Sequence, residues 1–324
     1  IIVSYNHIFM YISSETRLFI REHSTDDVRT LALQSKKYPD VDMPVAITQI
    51  AGRQIAAEKI PSWKKIEDIR YPKHLSLEQC SSEITAYYKA GLLQGDSLTD
   101  LTGGFGVDCS FLAEKFKSVT YVERQEELCG IAAHNFHILG LNHINVKNED
   151  GIAHLKAMSP VDCIFLDPAR RNEHGGKAVA ISDCEPDVAA LEGLLLNKAK
   201  QVMVKLSPML DLSLALRELQ QTQEVHIISV NNECKELLLI LGQTIPPEIK
   251  IHCVNLSTKG EQEEQHFTFT REQEQCSQCN YTDSLDEYLY EPNASLLKAG
   301  AFKSLSSAFP IRKLHPNSHL YTSD

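Results

Sequence analysis

The spacing of apolar residues changes near residue 95, and this change predicts two kinds of structure. From residue 25 to 60 apolar residues recur at helical spacing, as in PVAITQIAGRQIAAEKI, until Pro61 ends the pattern. Ser24 and Thr25 are the predicted N-caps, because acidic residues follow them. The segment LSLEQCSSEITAYYKAGLL predicts one further helix. The first part of the chain is therefore predicted to be helical.

After residue 97 short apolar runs alternate with helical patterns, which is typical of a parallel sheet covered by helices. A turn at Asn231-Asn232 predicts a last strand that runs antiparallel to its neighbour. The predicted strands lie at 97–101, 118–123, 143–147, 161–166, 200–206, 224–230 and 235–241. The predicted helices lie near 106–116, 125–139, 186–198 and 209–221. We therefore expect an α/β fold with a seven-stranded sheet.

The pattern predicts three regions along the chain. A helical region covers 1–92, the α/β domain covers 93–245, and a small α+β region covers 246–324. The last boundary is placed at Pro246-Pro247, where the alternation of strands and helices is lost. Residues 249–270 then alternate like a β-ribbon.

Composition narrows the class of protein. The 324 residues are 43% hydrophobic and 23% charged, which is ordinary for a globular protein with a large core. No apolar run reaches 18 residues, and the N-terminus lacks the pattern of a signal peptide, so no membrane span and a cytoplasmic location are expected. The net charge of −11 argues against wholesale binding to nucleic acid. Residues 1–95 are nearly balanced in charge, however, so a polyanion would be repelled least there.

The nine cysteines do not indicate a disulfide framework or a metal site. Several lie inside apolar runs, where cysteine behaves as a small hydrophobic residue. Cys276 and Cys279 form the one CxxC, but a structural zinc site needs a second pair of ligands. His252, Cys253 and His266 are nearby in sequence, and their spacing matches no zinc pattern. No metal site is predicted.

The first strand runs into a glycine-rich turn, LTDLTGGFG, that contains the candidate cofactor residues Asp100, Thr102, Gly104 and Gly106. Glycines at such a turn let the backbone approach a ligand and enter the next helix tightly. In a sheet of this kind ligands lie outside the carboxyl ends of the strands. A glycine-rich turn also serves plain strand-to-helix geometry, so the loop alone leaves both interpretations open.

Polar side chains follow the next three strands as well. Glu123 ends the second strand, where a carboxylate can bind both hydroxyls of a ribose. Asp150 follows the third strand and can reach an adenine amino group, cap a helix, or do both. Asp167-Pro168 ends the fourth strand. Polar groups at four consecutive strand ends favour a nucleotide-type site over four unrelated turns.

These residues resemble class I S-adenosylmethionine-dependent methyltransferases. DLTGGFG is similar to their first motif, Glu123 to their ribose-binding acid, and DPAR to their catalytic motif after the fourth strand. The resemblance implies a Rossmann-like methyltransferase sheet and S-adenosylmethionine as cofactor. An NAD-binding domain is the rival, but its G-x-G-x-x-G pattern would need a glycine where this chain has Cys109.

A more specific resemblance covers nearly the whole chain. QIAGRQIAAEKIPSW, DPARR and the closing YLYEPNASLLKAGAF…KLHPNSHLYTSD are similar to bacterial methyltransferases with a THUMP-like domain. The layout around the glycine loop also resembles trimethylguanosine synthases. The resemblance implies a ferredoxin-like C-terminal region, an RNA substrate, and a THUMP-like domain that would begin about where this sequence stops.

The resemblance assigns catalytic roles to Asp167, Pro168 and Arg170. In amino-methylating relatives the acid and the proline carbonyl accept hydrogen bonds from an exocyclic amine. An aromatic residue usually stands where this chain has Arg170, and a guanidinium can stack on a base or grip a phosphate. Surface salt bridging is the alternative for Arg170 and Arg171. Relatives that methylate carbon 5 of uracil need a cysteine nucleophile, and Ser207-Pro208 stands where theirs would lie.

Other functions remain open at this stage. A small-molecule methyltransferase and a non-catalytic binding module would both keep the same fold. Lys205, at the end of the fifth strand, is predicted either to face the acceptor or to point outwards. The polar segment 172–183 is predicted to be a lid or substrate loop, and Gln79, Ser81 and Ser82 to lie over the cofactor pocket or to cap a helix.

Overall fold

The computed structural model describes residues 12–170, 180–258 and 264–324, with only the backbone of His74, Leu75 and Arg170. The chain divides into two compact units, Ile1–Ala157 and Met158–Asp324. No described helix is both long and apolar enough to cross a lipid bilayer.

Six helices form the N-terminal region of the first unit. Side-chain caps open three of them, because Ser13, Asp27 and Asp42 each accept a hydrogen bond from a backbone N–H three residues later. The predicted N-cap at Ser24 or Thr25 is therefore wrong, because Asp27 caps α2: its carboxylate accepts a hydrogen bond from the Thr30 N–H at 2.8 Å. The helices are α1 (Ser14–Glu22), α2 (Val28–Leu33), α3 (Met43–Lys59), α4 (Pro61–Lys64), α5 (His74–Gln79) and α6 (Glu83–Ala90).

The prediction of a single helix at 75–93 is wrong, because the helical conformation is interrupted between α5 and α6. Cys80 and Ser82 are extended there. Ser81 is buried and its hydroxyl donates to the Asp108 carboxylate at 2.7 Å. A contact 27 residues away along the chain therefore overrides the local helical pattern.

Three parallel strands complete the first unit. Strands β1 (Ser97–Asp100), β2 (Ser118–Glu123) and β3 (Ile144–Asn148) pair in the order β1-β2-β3. Helices α7 (Val107–Ala113), α8 (Glu126–Ile138) and α9 (Gly151–Ala157) follow them in turn. The N-terminal region packs against the start of α7 through one aromatic cluster, in which the ring centroids of Trp63 and Phe105 lie 5.2 Å apart.

The second unit holds six paired strands, in the order β11-β10-β8-β9-β7-β4. They are β4 (Val161–Leu166), β7 (Ala199–Leu206), β8 (Thr222–Val230), β9 (Glu233–Gly242), β10 (Lys250–Leu256) and β11 (Gln265–Thr270). Helices α10 (Val188–Lys198) and α11 (Leu212–Glu218) precede β7 and β8. All seven predicted strands are present, so the predicted α/β fold is confirmed.

Strand β9 is the turned-back strand. Asn231 and Asn232 have φ of 50° and 64°, the left-handed conformation that a tight hairpin turn requires. Strand β9 then pairs antiparallel with both β8 and β7. The predicted ribbon extends the same sheet, because β10 pairs parallel with β8 and antiparallel with β11.

The C-terminal residues form a small α+β region. Helices α12 (Arg271–Cys276), α13 (Ala294–Ala299) and α14 (Phe302–Ala308) accompany a three-stranded antiparallel sheet of order β12-β14-β13. Its strands are β12 (Tyr288–Tyr290), β13 (Arg312–Lys313) and β14 (Tyr321–Ser323). A separate two-stranded pair, β5 (Ala169–Arg170) and β6 (Cys184–Glu185), lies just after β4.

Candidate active site

An aromatic floor supports the glycine loop between β1 and α7. The ring of buried Tyr121 lies directly under Gly103, where an added Cβ would stand 2.2 Å from a ring carbon. The Tyr121 hydroxyl donates to the Gly104 carbonyl oxygen. Packing therefore requires glycine at position 103. The predicted site residues included Gly104 and Gly106 but not Gly103.

Gly104 and Gly106 supply the backbone conformation of the turn. Their φ angles are +56° and +87°, in the left-handed region that favours glycine. An added Cβ on Gly104 would meet nothing closer than 3.8 Å, so this face of the loop is open enough for a ligand to approach. Gly106 instead lies against the Phe136 ring.

Asp100 and Thr102 shape the start of the loop. Asp100 ends β1, is 1% exposed, and accepts a hydrogen bond from the Thr102 N–H at 3.0 Å. This contact turns the chain as it leaves the sheet. Both residues therefore lie at the predicted place and fix the loop conformation.

Glu123 connects the end of β2 to the glycine loop. Its carboxylate is buried and accepts hydrogen bonds from the Gly104 N–H at 2.9 Å and the Gln125 N–H at 2.8 Å. A carboxylate has about four acceptor sites, so these two bonds leave room for others. Two ribose hydroxyls fit that remaining capacity, and the open face of Gly104 fits a ligand lying beside it.

Asp150 caps the helix that follows β3. It is exposed, and its Oδ1 accepts a hydrogen bond from the Ala153 N–H at 2.8 Å. Oδ1 therefore serves as the helix cap. Oδ2 is the oxygen that could accept a hydrogen bond from an adenine amino group.

A buried ion pair holds α7 against α6. The Nζ of Lys89, a residue with no exposed surface, lies 3.1 Å from Asp108 Oδ1 and donates to the Ser81 hydroxyl at 3.1 Å. This network joins α6 and the Ser81 break to the first turn after the glycine loop. The one sequence signal for this network is Asp108, the acid in the first turn of α7.

Asp167 and Pro168 follow β4 in the second unit. The Asp167 side chain is 37% exposed, and its Oδ2 lies 2.6 Å from the Nζ of Lys205. Lys205 is near the end of β7, the parallel neighbour of β4, and its side chain is 10% exposed. Lys205 therefore points toward Asp167 and not outwards to solvent. Pro168 is buried.

Only part of the predicted acceptor segment is described. The backbone of Arg170 pairs with Cys184 between β5 and β6, while the Arg170 side chain, Arg171 and most of the predicted 172–183 loop lie outside the described residues. Cys184 is 3% exposed, which does not favour a nucleophile open to substrate.

The described residues contain one group that could hold a metal, and it is not the CxxC. Cys276 is exposed and Cys279 half-buried, and both thiols are free. The group consists instead of Glu224, His226 and His252, whose ligand atoms lie within 4.8 Å of one another. No local pattern in the sequence predicts this group, because the pairing of β8 with β10 brings together His226 and His252, which are 26 positions apart.

Three comparisons with known proteins bear on this arrangement. The sequence profile of the protein-L-isoaspartate(D-aspartate) O-methyltransferase family matches residues 46–172, and a ferredoxin-like domain profile matches 288–324. A crystal structure of a candidate methyltransferase from Porphyromonas gingivalis W83 is 36% identical, covers 97% of this chain and 79% of that chain, and superposes with a TM-score of 0.83.

Two further solved structures are much less similar to this chain. An rRNA methylase from Streptococcus thermophilus is 14% identical over 49% of this chain and 93% of that chain, with a TM-score of 0.35. A candidate methyltransferase from Streptococcus mutans in complex with SAH is 13% identical over 49% of this chain and 96% of that chain, again at 0.35. No curated protein matches this chain.

The sheet with its turned-back strand and glycine loop is a methyltransferase fold, followed by a ferredoxin-like C-terminal domain. The chain belongs to the same family as the Porphyromonas gingivalis protein.

Proposed function

We propose that the chain is an S-adenosylmethionine-dependent methyltransferase that methylates an exocyclic nitrogen of an RNA base. The bound cofactor supplies an electrophilic methyl group. The protein must then hold the acceptor nitrogen in line and accept its proton. The observation that carries the proposal is the Asp167–Lys205 pair beside Pro168.

Asp167 and Pro168 supply two acceptors for an amine. The ammonium of Lys205 stabilises the negative charge of the Asp167 carboxylate and fixes the position of Oδ2. A carboxylate oxygen and the Pro168 carbonyl oxygen then accept the two N–H bonds of the amine, which orients the nitrogen lone pair. Arg170 remains the proposed contact to the base or to a phosphate.

The first unit would hold the cofactor. Glu123 accepts hydrogen bonds from the ribose hydroxyls, and Asp150 Oδ2 accepts one from the adenine amino group. Asp100 and Thr102 keep the glycine loop in shape, and Gly104 and Gly106 let the backbone approach. We also propose, from the resemblance that covers nearly the whole chain, kinship with the bacterial methyltransferases that carry a THUMP-like domain. The layout around the glycine loop supports a relation to trimethylguanosine synthases.

Transfer of tritiated methyl to total RNA from cells that lack the gene tests the proposal. Asp167→Ala is expected to lower transfer about 100-fold or more and to leave cofactor affinity within a few-fold, because it removes the group that aligns the amine. Asp162→Ala is a matched control, since Asp162 lies in the same strand and pairs with exposed Lys200.

Each other outcome contradicts part of the proposal. Label in small metabolites and not in RNA would favour a small-molecule methyltransferase. Folded protein that binds no S-adenosylmethionine in calorimetry would leave only a binding module. Loss of cofactor affinity in Asp167→Ala would place Asp167 in the cofactor site instead.

A further inference from the structure

A cavity lined by arginines lies in the N-terminal helical region, within the first unit. Its volume is about 230 Å³. Four arginines and two acids contribute to its wall, which gives an excess of two positive charges: Arg17, Arg21, Arg53, Glu67, Asp68 and Arg70. Tyr71 and Gln49 complete its polar lining.

The segment that carries Arg70 and Tyr71 is held rigidly. The side-chain amide of Gln49 bonds both the N–H and the carbonyl of Tyr71, at 3.0 and 2.9 Å. Asn135 does the same for Arg70, at 2.8 Å each. Gly52 lets the segment lie directly on α3, because a Cβ there would stand 2.3 Å from Tyr71 Cβ. The wall is therefore preorganised.

Two buried donors of this segment are left unsatisfied. Arg70 is 8% exposed and its Nε makes no hydrogen bond with any described residue; the same holds for the hydroxyl of Tyr71, which is 1% exposed. A buried donor without an acceptor is costly. Burial and the nearby charges of Arg17 and Arg53 lower the pKa of Arg70, while Asp68 acts in the opposite direction. A bound anion would satisfy the donors and relieve the repulsion.

We propose that this cavity binds a phosphate group. A guanidinium matches the oxygens of a phosphate, and a tyrosine hydroxyl can add a further donor. The cavity is smaller than the roughly 300–1,000 Å³ typical of sites for drug-sized ligands, which suits a phosphate and at most part of its sugar. The phosphate could belong to RNA or to a free nucleotide. The RNA source rests on the proposed function, whereas phosphate binding itself does not.

Calorimetric titration of the full chain with inorganic phosphate, without cofactor or RNA, tests the site. We expect Arg70→Met to weaken phosphate binding about 10-fold to 100-fold, since it removes a charged donor. Tyr71→Phe is expected to weaken binding by a smaller factor. Arg29→Met, which changes an exposed arginine of α2 outside the cavity, should bind as the wild type does.

A stability measurement separates ligand binding from a structural role. Phosphate should raise the melting temperature of the wild type and not of Arg70→Met, and without phosphate the variant should melt no earlier than the wild type. A wild type that ignores millimolar phosphate, or a variant that responds equally, would overturn the proposal.

Competition identifies the source of the phosphate. A short single-stranded RNA that displaces phosphate from the wild type points to RNA. Displacement by adenosine monophosphate and not by RNA points to a free nucleotide, and overturns the RNA assignment only. Because methyl transfer is not measured, failure here is distinguishable from failure of the proposed function.

A second, independent site lies on the sheet of the second unit. Glu224 and His226 are two residues apart on β8 and so share a face, and His226 pairs in register with His252 of β10. The Glu224 carboxylate lies 3.6 Å from Nε2 of His226 and 3.8 Å from Nε2 of His252. His226 is 4% exposed, while Glu224 is partly exposed and opens the cluster to solvent.

The geometry points to a divalent transition-metal site, with zinc as the fitting ion. Tetrahedral ligands at about 2.1 Å stand roughly 3.4 Å apart, so the ligand atoms need to approach one another by little. The two imidazole rings stack with centroids 4.5 Å apart and planes 14° from parallel, so one ring must rotate for both Nε2 atoms to point at one ion. The Nδ1 of His252 lies 2.9 Å from Thr268 Oγ1, and this contact orients Nε2 toward Glu224. Nε2 makes no hydrogen bond with any described residue, so it could serve as a metal ligand.

Cobalt(II) provides a coloured probe of this site in the full chain. We expect one equivalent to bind with visible bands of a tetrahedral site and no near-ultraviolet thiolate band. His252→Phe should weaken binding about 100-fold and Thr268→Val about 10-fold. His266→Phe, on neighbouring β11, is the matched control and should bind normally. No uptake at micromolar cobalt, a thiolate band, or unchanged binding by His252→Phe would overturn the assignment.

Discussion

At the scale of single residues, the proposed acceptor site depends on the ion pair of Asp167 and Lys205. Lys205 lies 38 residues after Asp167 and reaches it only because β4 and β7 are neighbours in the sheet. A lysine buried to 10% exposure beside a carboxylate keeps that carboxylate in one orientation. Lys205 therefore positions the Asp167 carboxylate, and in the proposed mechanism Lys205 does not need to touch the acceptor.

Lys205→Met should lower methyl transfer about 10-fold to 100-fold, because an acceptor group that shifts by about 1 Å aligns poorly. Its affinity for S-adenosylmethionine should stay within a few-fold. Lys200→Met is the control, since Lys200 lies in the same strand with its side chain 75% exposed. Equal losses in both variants would show a general effect on β7 and not a role for the pair.

Glu123 permits an independent test of the cofactor side. The carboxylate of Glu123 accepts hydrogen bonds from two backbone N–H groups, one on each oxygen. In Glu123→Gln the amide NH2 would have to face one of these N–H groups, and the proposed charge-assisted bond to the ribose would be lost. We expect S-adenosylmethionine to bind about 10-fold to 100-fold more weakly in calorimetry. Glu126→Gln, an exposed acid in the first turn of α8, should bind normally.

The candidate residues were predictable where they follow a strand, and their partners were not. Asp100, Glu123 and Asp167 stand after apolar runs, so a local pattern identifies them. Lys89 and Asp108 join through the tertiary structure, as do Arg70 and its neighbours in the arginine cavity. No periodicity along the chain records such contacts.

At the scale of elements, the glycine loop and the interruption between α5 and α6 are held in place by connected contacts. The loop lies on Tyr121, and the Lys89–Asp108 ion pair holds the helix that follows it. Strand positions could be predicted to within a few residues because their apolar runs are bounded by turns. The break at Ser81 could not, because a distant carboxylate decides it.

Gly103→Ala should lower the free energy of unfolding by about 1–3 kcal/mol, because the new Cβ collides with the buried Tyr121 ring. Cofactor affinity should fall as well, since the loop must move. Gly193→Ala is the contrasting variant: its Cβ in the exposed middle of α10 meets nothing within 4 Å. It should raise the free energy of unfolding by about 0.5–1 kcal/mol. Denaturant titration measures both, and equal signs would contradict the argument.

At the scale of the whole molecule, charge limits how RNA can be bound. A chain of net charge −11 repels a polyanion over most of its surface, so binding must concentrate on a local cationic site. The arginine cavity contains four arginines. The number of phosphates neutralised at once should therefore be small.

The salt dependence of RNA binding measures that number. For single-stranded RNA the slope of log affinity against log salt is about −0.7 for each phosphate neutralised. We expect a slope no steeper than about −3, which corresponds to roughly four phosphates. Arg70→Met should make the slope shallower by about 0.7, the contribution of one phosphate. A slope near −6 would contradict the proposal, because it requires a broad basic surface.

Strand β11 has a consequence for how the protein behaves in a crowded solution. Among the described strands it stands at one end of the sheet, with backbone groups that another chain could pair with. It has only six residues, and Gln265, His266 and Thr268 are exposed along it. The more apolar β8 lies two strands inward. The added ribbon therefore acts as a border that discourages self-assembly of the sheet.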